Sequence, residues 1–344
     1  MKNMKKTLLL TALLAVYFPL AAEALPQTLP LLQQKTRTAA QTQQVFDLFR
    51  FAQDDATAFA AGASLVRVPP AKIYEPALLN MIIRDSHPLK TAFSAIILTA
   101  MGSASPDLLP VLEGTLKGPD PVMRAYAAGA YTIIRPQEKT YASEVVLLYI
   151  YDQALATRAM NLLAQTPKEE TAFLKRAAGA QDTNTRAAAA RWLGTLNTPA
   201  ANKQLLKMAG KETDSAVQTQ LAMSLANAGA DLLPEITKGL KKDFHSPVSA
   251  TYALTLGFMT GYAVEPLRNA LASKNLNERV NALRAAAYMA GVLANPDAFA
   301  YSSDRTFDAG LLKTLIPQLK AFANAGGEEA PYAQNALRQI EKLI

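Results

Sequence analysis

The chain has 344 residues, with 35 Lys and Arg against 28 Asp and Glu, a net charge of +7 and no cysteine. The missing thiols exclude disulfide scaffolds, thiolate zinc sites and a lipid-bearing cysteine anchor. A bias of this size is well short of a polybasic arm.

Residues 1–24 predict a cleaved export signal: Lys2, Lys5 and Lys6 precede an apolar run from Leu8 to Leu20, and Ala22-Glu23-Ala24 supplies a small-x-small cleavage site. The run is shorter than the ~20 residues of a spanning helix and contains Pro19. Cleavage would leave 320 residues starting at Leu25, with a net charge of +5. The expected location is exported, periplasmic or extracellular, and soluble. The remaining charge is uneven. Residues 165–290 hold 15 basic and 10 acidic side chains, against 12 and 11 in residues 25–164.

Within the 25–70 segment, residues 25–66 are rich in glutamine and alanine, with Val45, Leu48, Phe49 and Phe51 as apolar contacts, and Val66 to Pro70 breaks it. They are expected to form helices that cap the first repeat. From residue 71 a turn-and-helix signature recurs. Its anchors are Leu89, Val122, Leu155, Thr185, Val217, Val248 and Val280, at intervals of 30 to 33 residues. Five positions later stand mostly small residues, Ser94 to Ala285, and eight positions later mostly large ones, Ile97 to Tyr288. A constant apolar face at such a period predicts a solenoid of helical hairpins.

Helix starts are marked by Ser86, Asp152, Asp182, Asp214 and Asn277 three residues before their anchors, and by Asp120 and Ser246 two before. Such side chains accept hydrogen bonds from unpaired first-turn amides. Pro88, Pro121 and Pro247 follow as first-turn prolines, and Gly102, Gly194, Gly257 and Gly291 are expected to close the helices. No useful length alternates with period two, so no sheet is expected. Residues 292–310 interrupt the pattern, as either a small functional loop or a partly disordered one.

The stretch Thr185-Arg186-Ala187-Ala188-Ala189-Ala190-Arg191-Trp192-Leu193-Gly194 resembles the second helix of a HEAT repeat, of the short bacterial type named after phycobilisome lyases. Val217–Ala226 and Val248–Gly257 are similar but looser. The resemblance covers residues 71–344, with seven repeats and a degenerate eighth from Leu311 to Ile340. It implies an all-α, right-handed α-solenoid that binds partners. HEAT repeats commonly place an arginine just after the anchor. Here that position holds Lys90, Met123, Ala156, Arg186, Gln218, Ser249 and Asn281, so the polar ladder is expected to be mostly missing.

Chemistry is sparse. The two histidines, His87 and His245, both fall in turns, and no phosphate loop, nucleophile elbow or His-Glu metal motif occurs. The carboxylate neighbours Asp54-Asp55, Glu169-Glu170 and Glu328-Glu329 point apart on a helix. No catalytic residue, metal or cofactor is expected. Lys175, Lys207 and Lys238 each precede an anchor by ten residues and should stack in one column, either solubilising the surface or binding an anionic envelope polymer. Lys211, Lys242 and Lys274 should form a second column. Positions two and six after each anchor should face the concave side: Thr91, Ala95, Arg124, Ala128, Thr157, Asn161, Ala187, Arg191, Thr219, Met223, Ala250, Leu254, Ala282 and Ala286. With only two cations, this face does not suit nucleic acid. Its small, locally apolar character suits a protein or peptide partner in the cell envelope, or reflects tight helix spacing alone. The partner-binding candidates are Arg124, Asn161, Arg191, Met223 and Leu254. The function expected is an exported, non-catalytic scaffold. The alternatives are the anionic-polymer surface and, from the resemblance, a lyase-like enzyme.

Overall fold

The computed structural model describes residues 29–294 and 309–343. The export signal and most of the 292–310 interruption lie outside them. The described chain is helical throughout, with no strand. It divides within one helix into two compact units, up to Phe173 and from Leu174.

The first unit holds α1 (Leu29–Leu32), α2 (Ala39–Arg50), α3 (Asp55–Arg67), α4 (Glu75–Arg84), α5 (Pro88–Met101), α6 (Leu108–Leu116), α7 (Pro121–Ile134), α8 (Ala142–Tyr151) and α9 (Gln153–Leu163). Helix α10 (Pro167–Ala177) contains the division. The second unit continues with α11 (Thr183–Leu196), α12 (Pro199–Ala209), α13 (Ser215–Asn227), α14 (Leu233–Gly239), α15 (Pro247–Met259), α16 (Val264–Leu271), α17 (Leu276–Ala294), α18 (Ile316–Ala325) and α19 (Ala330–Leu343). Every anchor hairpin is present, and the α18–α19 pair is the eighth.

Aspartates start the helices as expected. The carboxylate of Asp120 accepts from the Val122 amide at 2.8 Å, Asp152 from Leu155 at 3.0 Å, Asp182 from Thr185 at 2.7 Å and Asp214 from Ala216 at 2.9 Å. Three other expected caps differ. Ser86 yields the position before α5 to His87, whose own amide donates to Asp85 at 2.9 Å. Ser246 precedes α15 but makes no side-chain cap bond. Asn277 lies inside α17 and accepts from the Phe244 amide, while Asn275 caps that helix through the Glu278 amide at 3.1 Å. The spacing rule failed there because α17 begins one residue before Asn277.

Counted from the true cap, in five of the seven anchor helices a side chain four residues into the helix reaches back to the carbonyl two residues before the cap. Thr91 bonds to Asp85, Arg124 to Gly118, Arg186 to Ala180, Gln218 to Glu212 and Arg279 to Ser273, at 2.9–3.3 Å. Just after the anchors the only arginine is Arg186, and these turns are closed instead by a mixed set of side chains. An arginine, an amide or a hydroxyl can each close the interhelix turn. Arg186 adds a two-pronged contact to Glu212, at 2.8 and 3.2 Å, and Arg279 reaches Glu329 at 2.9 Å. Burial works against the Glu212 charge, but the Arg186 bonds and the Asp214 and Thr213 amides outweigh it and hold its pKa below the ordinary value.

In the first unit the second helices close on one another. Helix α3 packs on α5, α5 on α7, α7 on α9, and α9 touches α3 again. Phe59 of α3, Phe93 of α5 and Tyr126 of α7 fill the middle, with ring centroids 5.4–6.0 Å apart. Edge-to-face rings at this distance add to their burial energy. Ala95 and Ala128, expected on a concave face, are consequently buried.

The second unit is a regular row. Helices α11, α13, α15, α17 and α19 pack each on the next. Gly194 and Gly257, expected to terminate helices, lie inside α11 and α15 against the next helix. A Cβ at Gly194 would sit 2.6 Å from the Ser224 Cβ, and one at Gly257 2.8 Å from that of Tyr288. Asn197, at φ 43°, follows α11 in the left-handed turn. Gly291 likewise lies within α17. Ala282 and Ala286 of α17 are buried, so the open face ends before them.

Candidate interaction face

On the second unit, position six of three successive second helices carries Arg191, Met223 and Leu254, all partly exposed. Ala187, Thr219 and Ala250 stand beside them, also partly exposed. Their helices α11, α13 and α15 pack side by side, so these six residues line one strip about two helix spacings wide, ~16–20 Å. The small side chains leave the helix surfaces accessible, and Met223 and Leu254 give the strip an apolar centre. The spacing beneath is fixed by Gly194 against Ser224, and the Asn227 amide donates across to the Gly194 carbonyl at 3.3 Å.

The other two partner candidates lie on the first unit. Arg124 is engaged in its own turn, donating to the Gly118 and Pro119 carbonyls at 2.9 and 2.8 Å. Asn161 is exposed on α9, in a shallow groove with Tyr149, Thr157, Arg158 and Leu162. Arg158 ties α9 to the end of α5 through the Ala100 carbonyl at 3.2 Å.

Lys175, Lys207 and Lys238 are exposed, on α10, α12 and α14, and none has an ion-pair partner among the described residues. Lys238 borders a shallow depression between α14 and α16, where Lys241 approaches Glu278 to 3.9 Å. The three members of the second column, Lys211, Lys242 and Lys274, are exposed as well.

His87 lies 3.2 Å from Asp55 through Nε2, and the His245 ring rests against Phe244 at 4.0 Å. Asp54 caps α3, Glu169 pairs with Lys139 at 3.0 Å, and Glu329 receives Arg279. No three His, Asp or Glu side chains among the described residues are placed to hold a metal. No described helix is long and apolar enough to cross a membrane.

A family model for HEAT repeats matches residues 150–226 and 170–254, which takes in α11, α13 and the part of α15 up to Leu254. None of the curated proteins matches the chain.

Proposed function

The chain carries HEAT repeats over residues 150–254, and from this we propose that it is an exported, non-catalytic scaffold that docks a protein or peptide on the strip of α11, α13 and α15. The observation that carries the reading is the row Arg191, Met223 and Leu254 on three helices held at fixed spacing. Such a preformed strip orders little on binding, which favours association. Its apolar centre suits an amphipathic segment of a partner. Export rests on residues 1–24, with their lysines, apolar run and Ala22-Glu23-Ala24.

The test is crosslinking and purification of the full chain, tagged at its C-terminus and expressed in its own host. Expected are a bait beginning at Leu25 and a captured protein that survives moderate salt and is lost on Met223→Asp or Leu254→Asp. A cytoplasmic bait beginning at Met1 overturns the export reading, and capture indifferent to both substitutions overturns the strip. Capture abolished by salt and by Lys207→Glu with Lys238→Glu assigns binding to the lysine column instead.

A further inference from the structure

We propose that the outward face of α4, together with Phe51, is a contact surface for an anionic lipid bilayer. Ile73, Ile83 and Phe51 are the most exposed large hydrophobic side chains among the described residues, at 81, 71 and 62%. All three lie on neighbouring elements of the first unit.

Helix α4 buries Leu78 and Met81. At 3.6 residues per turn the opposite face carries Pro76, Asn80 and Ile83, flanked by Lys72, Ile73 and Arg84. All six are exposed, and the stripe contains no carboxylate. The carboxylates nearby have polar partners but keep their charge, among them the exposed Asp54, which caps α3, and Asp55, 3.2 Å from His87. Glu75 accepts from the Ser103 hydroxyl at 2.6 Å, Asp47 from Gln43 at 2.9 Å, and Asp85 from the His87 amide while pairing with Lys90 at 3.5 Å.

Lys90 of α5 and Tyr74, in the turn before α4, tie α4 to α2, the helix that Phe51 follows. The Lys90 ammonium donates to the Arg50 and Ala52 carbonyls, both at 3.4 Å, and pairs with Asp85. Phe51 and Ile83 therefore flank one junction. At the other end the Tyr74 ring lies 4.8 Å from Phe46, and its hydroxyl donates to Gln43 at 2.9 Å. The ten residue steps from Ile73 to Ile83 span about 15 Å along the surface.

Each apolar residue has an exposed cation next to it in sequence: Arg50-Phe51, Lys72-Ile73 and Ile83-Arg84. The Arg50 guanidinium lies 5.2 Å from the Phe51 ring centre. Separate, protruding apolar groups suit the soft interface of a bilayer, where each inserts below the headgroups while its cationic neighbour meets the phosphate layer.

Because the chain lacks cysteine, a single label can be read without background. The full chain carrying Ile83→Cys with an environment-sensitive fluorophore is mixed with vesicles of phosphatidylethanolamine and phosphatidylglycerol, or of phosphatidylcholine alone. Expected are a blue shift with the anionic vesicles only, and an unmoved spectrum for the same label at Lys207→Cys. Removing Phe51 and Ile73 together as serines should weaken co-sedimentation at least about tenfold. An Ile83→Cys label that stays in water, or shifts equally with phosphatidylcholine, overturns the proposal. So does a label at Lys207→Cys that moves as much, or a shift produced only by soluble host protein. The label reads the first unit directly, so this outcome is independent of the strip on the second.

Discussion

Asp152 meets two opposing demands. As the cap of α9 its Oδ1 accepts from the Leu155 amide, yet the residue is 3% exposed and its Oδ2 is buried without a hydrogen-bond partner. Burial raises its pKa, and the Leu155 amide and the Arg67 charge only partly oppose this. A folded-state pKa above the unfolded value means the folded chain binds protons more readily. Its stabilising contribution is thus fully present below the ordinary carboxylate range and lost as pH rises through the raised value. Asparagine keeps the capping oxygen and removes the buried charge. Asp152→Asn should therefore hold or raise stability at neutral pH and flatten its decline above the ordinary carboxylate range. Asp152→Ala, which loses the cap, should cost about 1 kcal/mol. Urea midpoints of the three proteins across that pH range check this, and an asparagine variant less stable than the alanine one would refute it. The cap was legible because capping is local. The burial was not, since its electrostatic neighbours Arg67 and Tyr126 come from α3 and α7.

Among the elements, the close pairs α11–α13 and α15–α17 depend on Gly194 and Gly257. Two effects compete on adding a methyl group. Alanine favours a helix interior by about 0.5–1 kcal/mol over glycine. Against that, a Cβ at Gly194 would stand 2.6 Å from the Ser224 Cβ and 2.9 Å from its Cα, and one at Gly257 3.1 Å from the Met289 amide nitrogen. Backbone atoms cannot step aside as a flexible side chain can, and overpacking of this kind costs about 1–3 kcal/mol. The clash should win. Gly194→Ala and Gly257→Ala are each expected to lower the thermal midpoint, whereas Gly114→Ala, with nothing within 4 Å, should not. Melting curves decide it, and a stabilised Gly194→Ala would mean the helices part without loss. These glycines look like helix stops in sequence because a stop and a close approach use the same residue. Only the neighbouring helix distinguishes them. The back-reaching side chains were missed for a related reason. Counted from the apolar anchor, Arg124, Arg186 and Arg279 fall in different registers, while counted from the cap they share one.

At the scale of the molecule, the hairpin period was plainly legible, because within each unit the recurring apolar face is the one buried between successive second helices. What escaped was the closing of the first unit. Phe59 belongs to a helix before the first anchor, and nothing periodic shows that it packs on Phe93 and Tyr126. The row in the second unit has an energetic consequence. Where each hairpin touches only its neighbours, stability is a sum of local terms, and a perturbation fades along the row. Trp192, the single tryptophan, is 3% exposed on α11 at the start of that row and reports it by fluorescence. Leu225 on α13 and Ile340 on α19 are both fully buried, so truncating either to alanine should cost about 3 kcal/mol. Leu225→Ala, on the helix packed against α11, should lower the Trp192 denaturation midpoint. Ile340→Ala, on the fourth helix along, should instead bring forward an early loss of helical circular dichroism while Trp192 holds its midpoint. Equal shifts of the tryptophan signal in both variants would show that the row unfolds as one block, and that its neighbours are bound more tightly than pairwise packing provides.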